Sequence, residues 1–191
     1  MRRKLLGGIA ALMVATSSVA AAFGAGAVNL DLSGQAFSFV PAGEDGLRMG
    51  VTEVTQAQYE AVMGSNPSRF KGADLPVEQV SWYDAVYFCN KLSMALGRTP
   101  VYAVDGERDV TEWDYVPHRG DILAGRITQD LSASGFRLPT EADWEYAVQG
   151  GQDFRFAGSD VLDEVGWYVV NSGGMTHPVA QKSRTPTGST T

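Results

Sequence analysis

The sequence predicts an α+β domain built from short elements joined by much irregular chain. Three observations predict it. Two segments place a capping box ahead of an apolar stripe at helical spacing, so two main helices are expected. Several short runs alternate apolar and polar residues, as small half-buried strands do. Glycine is abundant, 22 in 191 residues, which favours turns over long helices. An apolar share of 44% and a charged share of 19% are globular values. The length gives room for one domain with a core of useful size.

The chain opens as a targeting segment. Arg2-Arg3-Lys4 is a basic start and Leu5 to Val14 an apolar run. Ser18-Val19-Ala20 or Ala20-Ala21-Ala22 then offers small residues for cleavage. Residues 1–22 are therefore read as a signal peptide. The run is too short and too rich in Gly and Ala for a stable membrane span, and no Cys follows it for lipid attachment. Loss of its three basic residues would take the net charge from −7 to −10. The expected product is an acidic exported protein, whether periplasmic, at the cell surface or secreted. That charge argues against nucleic acid, whose phosphates need a basic face.

Residues 23–36 are read as a tether. Phe37-Ser38-Phe39-Val40 alternates and predicts a first strand, closed by Pro41-Ala42-Gly43. Leu47 to Val54 reads as a second. Thr55 with Gln58 three residues on predicts a capping box and a helix over 56–63, with Tyr59, Val62 and Met63 inward and Gly64 ending it. Ser81 with Asp84 predicts the second box, for a helix from Trp82 to about Leu96. Its stripe is Ala85, Phe88, Cys89, Leu92 and Leu96, with Gly97 after it. Cys89 in that stripe reads as a small buried hydrophobe. Val101–Val104 is strand-like with a turn at Asp105-Gly106, and Val110–Trp113 is a partner for it. Tyr115 to Gly125 reads as an insertion loop and Arg126–Leu131 as another short strand. Gly135 to Ala147 reads as strand, corner and helix. Phe136 and Leu138 face inward around Arg137, and Pro139 stops the strand. Thr140 caps with Asp143, and Trp144, Ala147 and Val148 share the inner face of the helix. The stretch from Phe154 to Gly174 reads as aromatic, glycine-rich loop.

Residue chemistry alone builds no active site. There is no phosphate-binding glycine loop and no nucleophile elbow. His118 and His177 stand apart, without metal-ligand spacing, and read as loop histidines. Asp160, Asp163 and Glu164 lack a calcium-loop pattern and read as a solvated acidic turn. Glu141, Asp143 and Glu145 are explained by capping and the helix dipole rather than acid/base work. The four tryptophans read as core anchors. With a single cysteine, no internal disulfide is possible.

The order of phrases carries more. Phe39-Val40-Pro41-Ala42-Gly43 is followed by Met49-Gly50 and Glu53-Val54-Thr55-Gln56-Ala57-Gln58-Tyr59. Then come Pro76-Val77-Glu78-Gln79-Val80-Ser81-Trp82-Tyr83-Asp84-Ala85, Phe88-Cys89-Asn90-Lys91-Leu92-Ser93 and Gly135 to Ala147. This series resembles the formylglycine-generating enzyme, or sulfatase-modifying factor, family over 37–182. The Glu60–Ser68 wording is similar to that of bacterial exported members.

The resemblance implies a C-type-lectin-like fold with two main helices and small antiparallel sheets. It also implies that a last third, with strands that close the core, is missing here. Trp144, Tyr146 and the Trp82 helix are then expected to expose apolar surface, on the order of hundreds of Å². The family's enzymes oxidise a sulfatase cysteine to formylglycine with oxygen and copper held by a cysteine pair in that last third. Cys89 matches a helix-stripe position instead, so no catalytic or cofactor-binding residue is assigned and the metal ligands stay unknown. Copper and calcium are expectations for a full-length member only.

Residues 183–191 depart from the family pattern after Pro178-Val179-Ala180-Gln181-Lys182. One codon choice for 182–191, read one base out of phase, gives Val-Ala-Asn-Ala-Tyr-Gly-Leu-Tyr-Asp, which is similar to the family's continuation. A frameshift near Lys182 is the expectation. Three functions follow from the resemblance: a non-catalytic scaffold for an unknown protein or peptide ligand, a fragment of a formylglycine-generating oxidase, or a lectin-like variable ligand-binding surface.

Overall fold

In the computed structural model, which describes residues 13–14, 27–42, 46–149 and 153–183, the two capped helices set the frame. Helix α1 spans Gln56–Met63. Thr55 and Gln58 close its capping box, and Gly64 ends it at φ 79°, a left-handed conformation that glycine adopts without strain. Helix α2 spans Trp82–Ala95, with Ser81 and Asp84 as its box. Ala85, Phe88, Cys89 and Leu92 are buried on the predicted stripe. Tyr59 of α1 stacks on Phe88 of α2 with centroids 5.1 Å apart, which brings the helices together.

One face of this pair is covered by a five-stranded sheet. Its strands are β1 (Met13–Val14), β2 (Val28–Leu32), β3 (Gln35–Pro41), β4 (Arg48–Gly50) and β7 (Phe136–Arg137), in the order β2-β3-β4-β1-β7. All neighbours are antiparallel. A second, two-stranded sheet pairs β5 (Tyr102–Val104) with β6 (Ile127–Gln129). Helix α3 covers Glu141–Gln149 and α4 Leu162–Val165. The core joins Phe37 and Phe39 of β3, Tyr59, Phe88 and Leu92 of the helices, and Phe136 of β7.

Several elements differ from the sequence reading. Val28–Leu32, within the stretch read as a tether, is a strand. It returns to β3 through Ser33 and Gly34, both at positive φ, as a two-residue hairpin requires. The strand over Leu47–Val54 shrinks to Arg48–Gly50. Val110–Glu112 is a 3₁₀ turn, not a strand. The Asp109 side chain accepts from the Thr111 N–H, and the Trp113 indole donates to the Glu107 carbonyl, so local bonds outcompete a ladder. The partner of β5 is β6 instead. Arg137 does not point outward between Phe136 and Leu138. It is buried, with its guanidinium 2.7 Å from the Asp143 carboxylate. That pair also accounts for Asp143 as more than a cap. A short helix, α4, interrupts the region read as loop. Most of the signal-peptide reading and the tail from 184 lie outside the described residues.

The junction of β7 with α2 leaves no room for a side chain at Gly135. An added Cβ there would sit 2.4 Å from the Thr99 carbonyl oxygen and 2.6 Å from Ser93 Oγ. That Oγ accepts from the Phe136 N–H and donates to the Cys89 carbonyl, so it cannot move freely. Gly135→Ala should therefore lower stability by about 1–3 kcal/mol, the usual cost of overpacking. Urea unfolding followed by tryptophan fluorescence measures it, and an unchanged midpoint would refute the packing account.

Candidate binding surface

The Asp84 carboxylate, only 2% exposed at the first turn of α2, accepts four hydrogen bonds. One oxygen accepts from the Ser81 N–H at 2.8 Å and the Ser81 hydroxyl at 2.7 Å. The other accepts from the Tyr115 hydroxyl at 2.8 Å and the His118 N–H at 2.9 Å. The His118 ring reaches back toward the same group, Nδ1 lying 3.8 Å from the carboxylate and Nε2 3.3 Å from the Tyr59 hydroxyl. Burial opposes the charge on Asp84 most strongly. The donors from Ser81, His118 and Tyr115 outweigh it and hold the carboxyl below its ordinary value. Burial, with Asp84 nearby, pushes the Tyr115 phenol up to about 12 and the Tyr59 phenol higher still. Both stay neutral, and Tyr115 donates to Asp84.

This node ties the insertion loop to the helix, and an aromatic strip results. Trp82 meets Tyr83 edge-on with centroids 5.4 Å apart. Tyr83 lies 6.5 Å from Tyr115, which is 6.0 Å from Tyr87. Tyr87 in turn meets Trp113 edge-on at 6.0 Å. Trp82, Tyr83 and Tyr87 follow i, i+1, i+5 along α2, and the loop supplies the rest. The strip runs from buried Trp113 to Trp82, which is 52% exposed. The loop beyond Tyr115 also exposes Val116 and Ile122, the latter by 73%. Such an array presents rigid rings with polar hydroxyl edges along α2 and its loop.

The sequence reading located these rings but not their role. Of the four tryptophans taken for core anchors, Trp113 is one, while Trp82 and Trp144 show 52% and 36% of their surface. Tyr146 is 51% exposed, as the Trp144 helix was expected to be. His118 is no plain loop histidine, since it belongs to the Asp84 node. The only early sign was Asp84 at the third position of a capping box, because the loop partners are distant in sequence. His177 stacks on Trp167 at 3.8 Å, and the Lys182 ammonium covers the same ring 3.9 Å from its centroid. That sandwich pins the end of the described chain. Asp160, Asp163 and Glu164 each accept from nearby groups: the Arg155 N–H, the Tyr168 hydroxyl and the Ser159 hydroxyl.

The residues present do not fit a thiolate copper site. The chain has one cysteine. Cys89 is fully buried in α2, where burial pushes its thiol far above the usual range.

A family model described as the sulfatase-modifying factor enzyme 1-like domain matches residues 33–191. The chain belongs to this family. Among its relatives, "Chaperone protein LppX" of Paenibacillus barcinonensis is 44% identical over 128 residues, covering 65% of this chain. The match spans only 45% of that relative's length. Among solved structures, Treponema denticola variable protein 1 superposes with a TM-score of 0.76 at 32% identity, over 86% of this chain and 72% of that one. The crystal structure of CarF gives a TM-score of 0.55 at 24% identity over 97% of this chain and 77% of that one, a likeness of fold.

Two carboxyls of the sulfatase-modifying factor domain give pH dependences of opposite sign. Asp84 binds protons less readily in the folded chain than in the unfolded one. Its contribution is complete above the ordinary value of 3.8 and is lost as pH falls below it. Asp84→Asn should flatten the acid limb of a stability–pH curve and cost roughly 2 kcal/mol at pH 7, since two buried donors lose a charged acceptor. Glu53, between β4 and α1, has its carboxyl pushed up from 4.5 to about 7 by burial. The folded chain holds that proton more tightly, so stability declines as pH rises from about 4.5 to about 7. Glu53→Gln should remove the decline and stabilise the protein at pH 8 by on the order of 1–3 kcal/mol. Urea midpoints across pH 3 to 8 check both signs; parallel curves for wild type and variants would contradict them.

Proposed function

We propose that this domain is an exported, non-catalytic scaffold that binds polypeptide through the aromatic strip on α2. The observation that carries the reading is Trp82, half-exposed on a capped helix and backed by Tyr83 and Tyr115. Large aromatic side chains on rigid elements lose little entropy on binding and dominate the energetics of protein contacts. Val116 and Ile122 extend the apolar area beside them. The net charge of −7 disfavours a nucleic-acid ligand. One relative carries the name chaperone, which supports a protein ligand. Export rests on the basic start, apolar run and small-residue sites at residues 1–22. No helix among the described residues is long and apolar enough to cross a membrane.

The non-catalytic reading concerns residues 1–191, and thiol chemistry supports it there. Formylglycine formation in this family uses a cysteine pair, and this chain has Cys89 alone. A second reading, a variable ligand-display surface, is favoured by the irregular loop after Tyr115 and by the solved neighbour named a variable protein. The two readings separate on ligand breadth: a scaffold for unfolded chains accepts many sequences, and a display surface accepts few.

Trp82→Ala and Tyr83→Ala test the assignment. The probe is reduced, carboxymethylated lactalbumin, a permanently unfolded chain, with binding read by fluorescence anisotropy. Each variant should bind about 10–30-fold more weakly, the loss of an aromatic anchor. Tm should stay within about 2 °C of wild type for Trp82→Ala, whose ring is half-exposed, and fall further for Tyr83→Ala, whose ring packs partly against the core. Unaltered affinity in both variants would refute the strip as the contact surface. Failure of the wild type to bind would refute the polypeptide reading.

A further inference from the structure

The rings of the α2 strip lie among carboxylates. Burial first, and then the Asp109 charge, push the Tyr87 phenol up. At Tyr115 the Asp121 charge adds to the larger effects of burial and Asp84. Asp114 stands between Trp113 and Tyr115 in the chain. Asp114 and Asp121 are exposed, and neither makes a hydrogen bond or ion pair among the described residues. Asp109 accepts from the Thr111 hydroxyl and N–H, which hold its carboxyl below the ordinary value and keep it charged.

The chain's own cations leave these rings open. Arg69 lies over Phe70, Arg98 over Phe136, Arg155 over Phe156 and Lys182 over Trp167, between 3.9 and 5.5 Å from the ring centroids. No cation lies in this way over a ring of the strip among the described residues. Arg108, in the same region, is bound to Asp130 at 2.9 Å. Arg119 of the loop and Lys91, one turn past Tyr87 on α2, are the nearest others in sequence. Ring faces attract cations through their quadrupole, and carboxylates beside them act with the same sign. A guanidinium suits both, since it stacks flat on a ring and forks onto a carboxylate.

We propose that the strip recognises basic segments of a polypeptide, with Arg or Lys side chains laid on the rings between Tyr87 and Trp82 and their charge balanced by Asp109, Asp114 and Asp121. This rests on the strip being a polypeptide contact and adds which segments it prefers. An acidic unfolded chain still reaches the rings, less tightly than a basic one. Complementary charge also speeds the encounter, in a salt-dependent way.

The test uses the full chain and two fluorescent peptides that share one unstructured sequence of alternating leucine, serine and arginine. In the second peptide every arginine is citrulline, which keeps the shape and loses the charge. Binding is read by anisotropy. Wild type should hold the arginine peptide roughly 5–20-fold more tightly than the citrulline peptide, and added salt should narrow the gap. The triple variant Asp109→Asn, Asp114→Asn, Asp121→Asn should lose most of that preference and hold the citrulline peptide as wild type does, because its rings are intact. Asparagine keeps an acceptor for the Thr111 cap, and the other two side chains are exposed, so the fold is retained. If wild type binds both peptides equally, at a level that Trp82→Ala weakens, the charge preference is overturned and the strip stands. If neither peptide binds, or Trp82→Ala weakens neither, both readings are overturned. A preference that survives in the triple variant overturns the role of these carboxylates.

Discussion

The Asp84 carboxylate closes the first turn of α2 and, with its other oxygen, fixes the Tyr115 hydroxyl and the His118 main chain. An uncompensated charge at 2% exposure would be costly; here every oxygen has two donors. The consequence is positional. A helix that would otherwise carry an irregular loop loosely instead holds Tyr115 against Tyr83 and Tyr87, and the loop closes over Trp113. The strip that ends at exposed Trp82 exists because one buried charge joins residues more than thirty positions apart.

The other side of α2 meets a different constraint. Ser93 and Gly135 let β7 approach within contact of the helix, and Phe136 fills the space beneath it against Phe39. Arg137, drawn inward by Asp143, links that strand to the N-terminus of α3. Among residues 141–147 of the helix it leads into, Ala147 alone is buried. Trp144 and Tyr146, about 200° apart around it, are both exposed. The fold is thus well determined around α2, while its sheet depends on the strand between β4 and β7.

Much of the frame was legible in the sequence because it is written locally. Thr55 with Gln58 and Ser81 with Asp84 state where both helices begin, and the Asp105-Gly106 turn sits where its dipeptide puts it, with both residues at positive φ. The phrases from Phe39 to Ala147 identified the family and with it the lectin-like architecture. What escaped depends on partners remote in sequence. The alternation of Val28, Leu30 and Leu32 was present, yet it became a strand only because Phe37 and Phe39 lie opposite. Arg137 read as outward from its alternation, and Asp143 overrode the pattern. Trp82 read as a core anchor since tryptophan usually is; its position one residue past the N-cap turns it outward. Nothing near His118 announces Asp84.

Hydrogen exchange on the full chain, with and without the unfolded lactalbumin probe, tests the central claim most directly. If the α2 strip is the contact surface, added protection will fall on residues 81–87 and on the loop around 115–122. If protection appears elsewhere while those segments exchange as before, the strip does not bind polypeptide and the account is wrong.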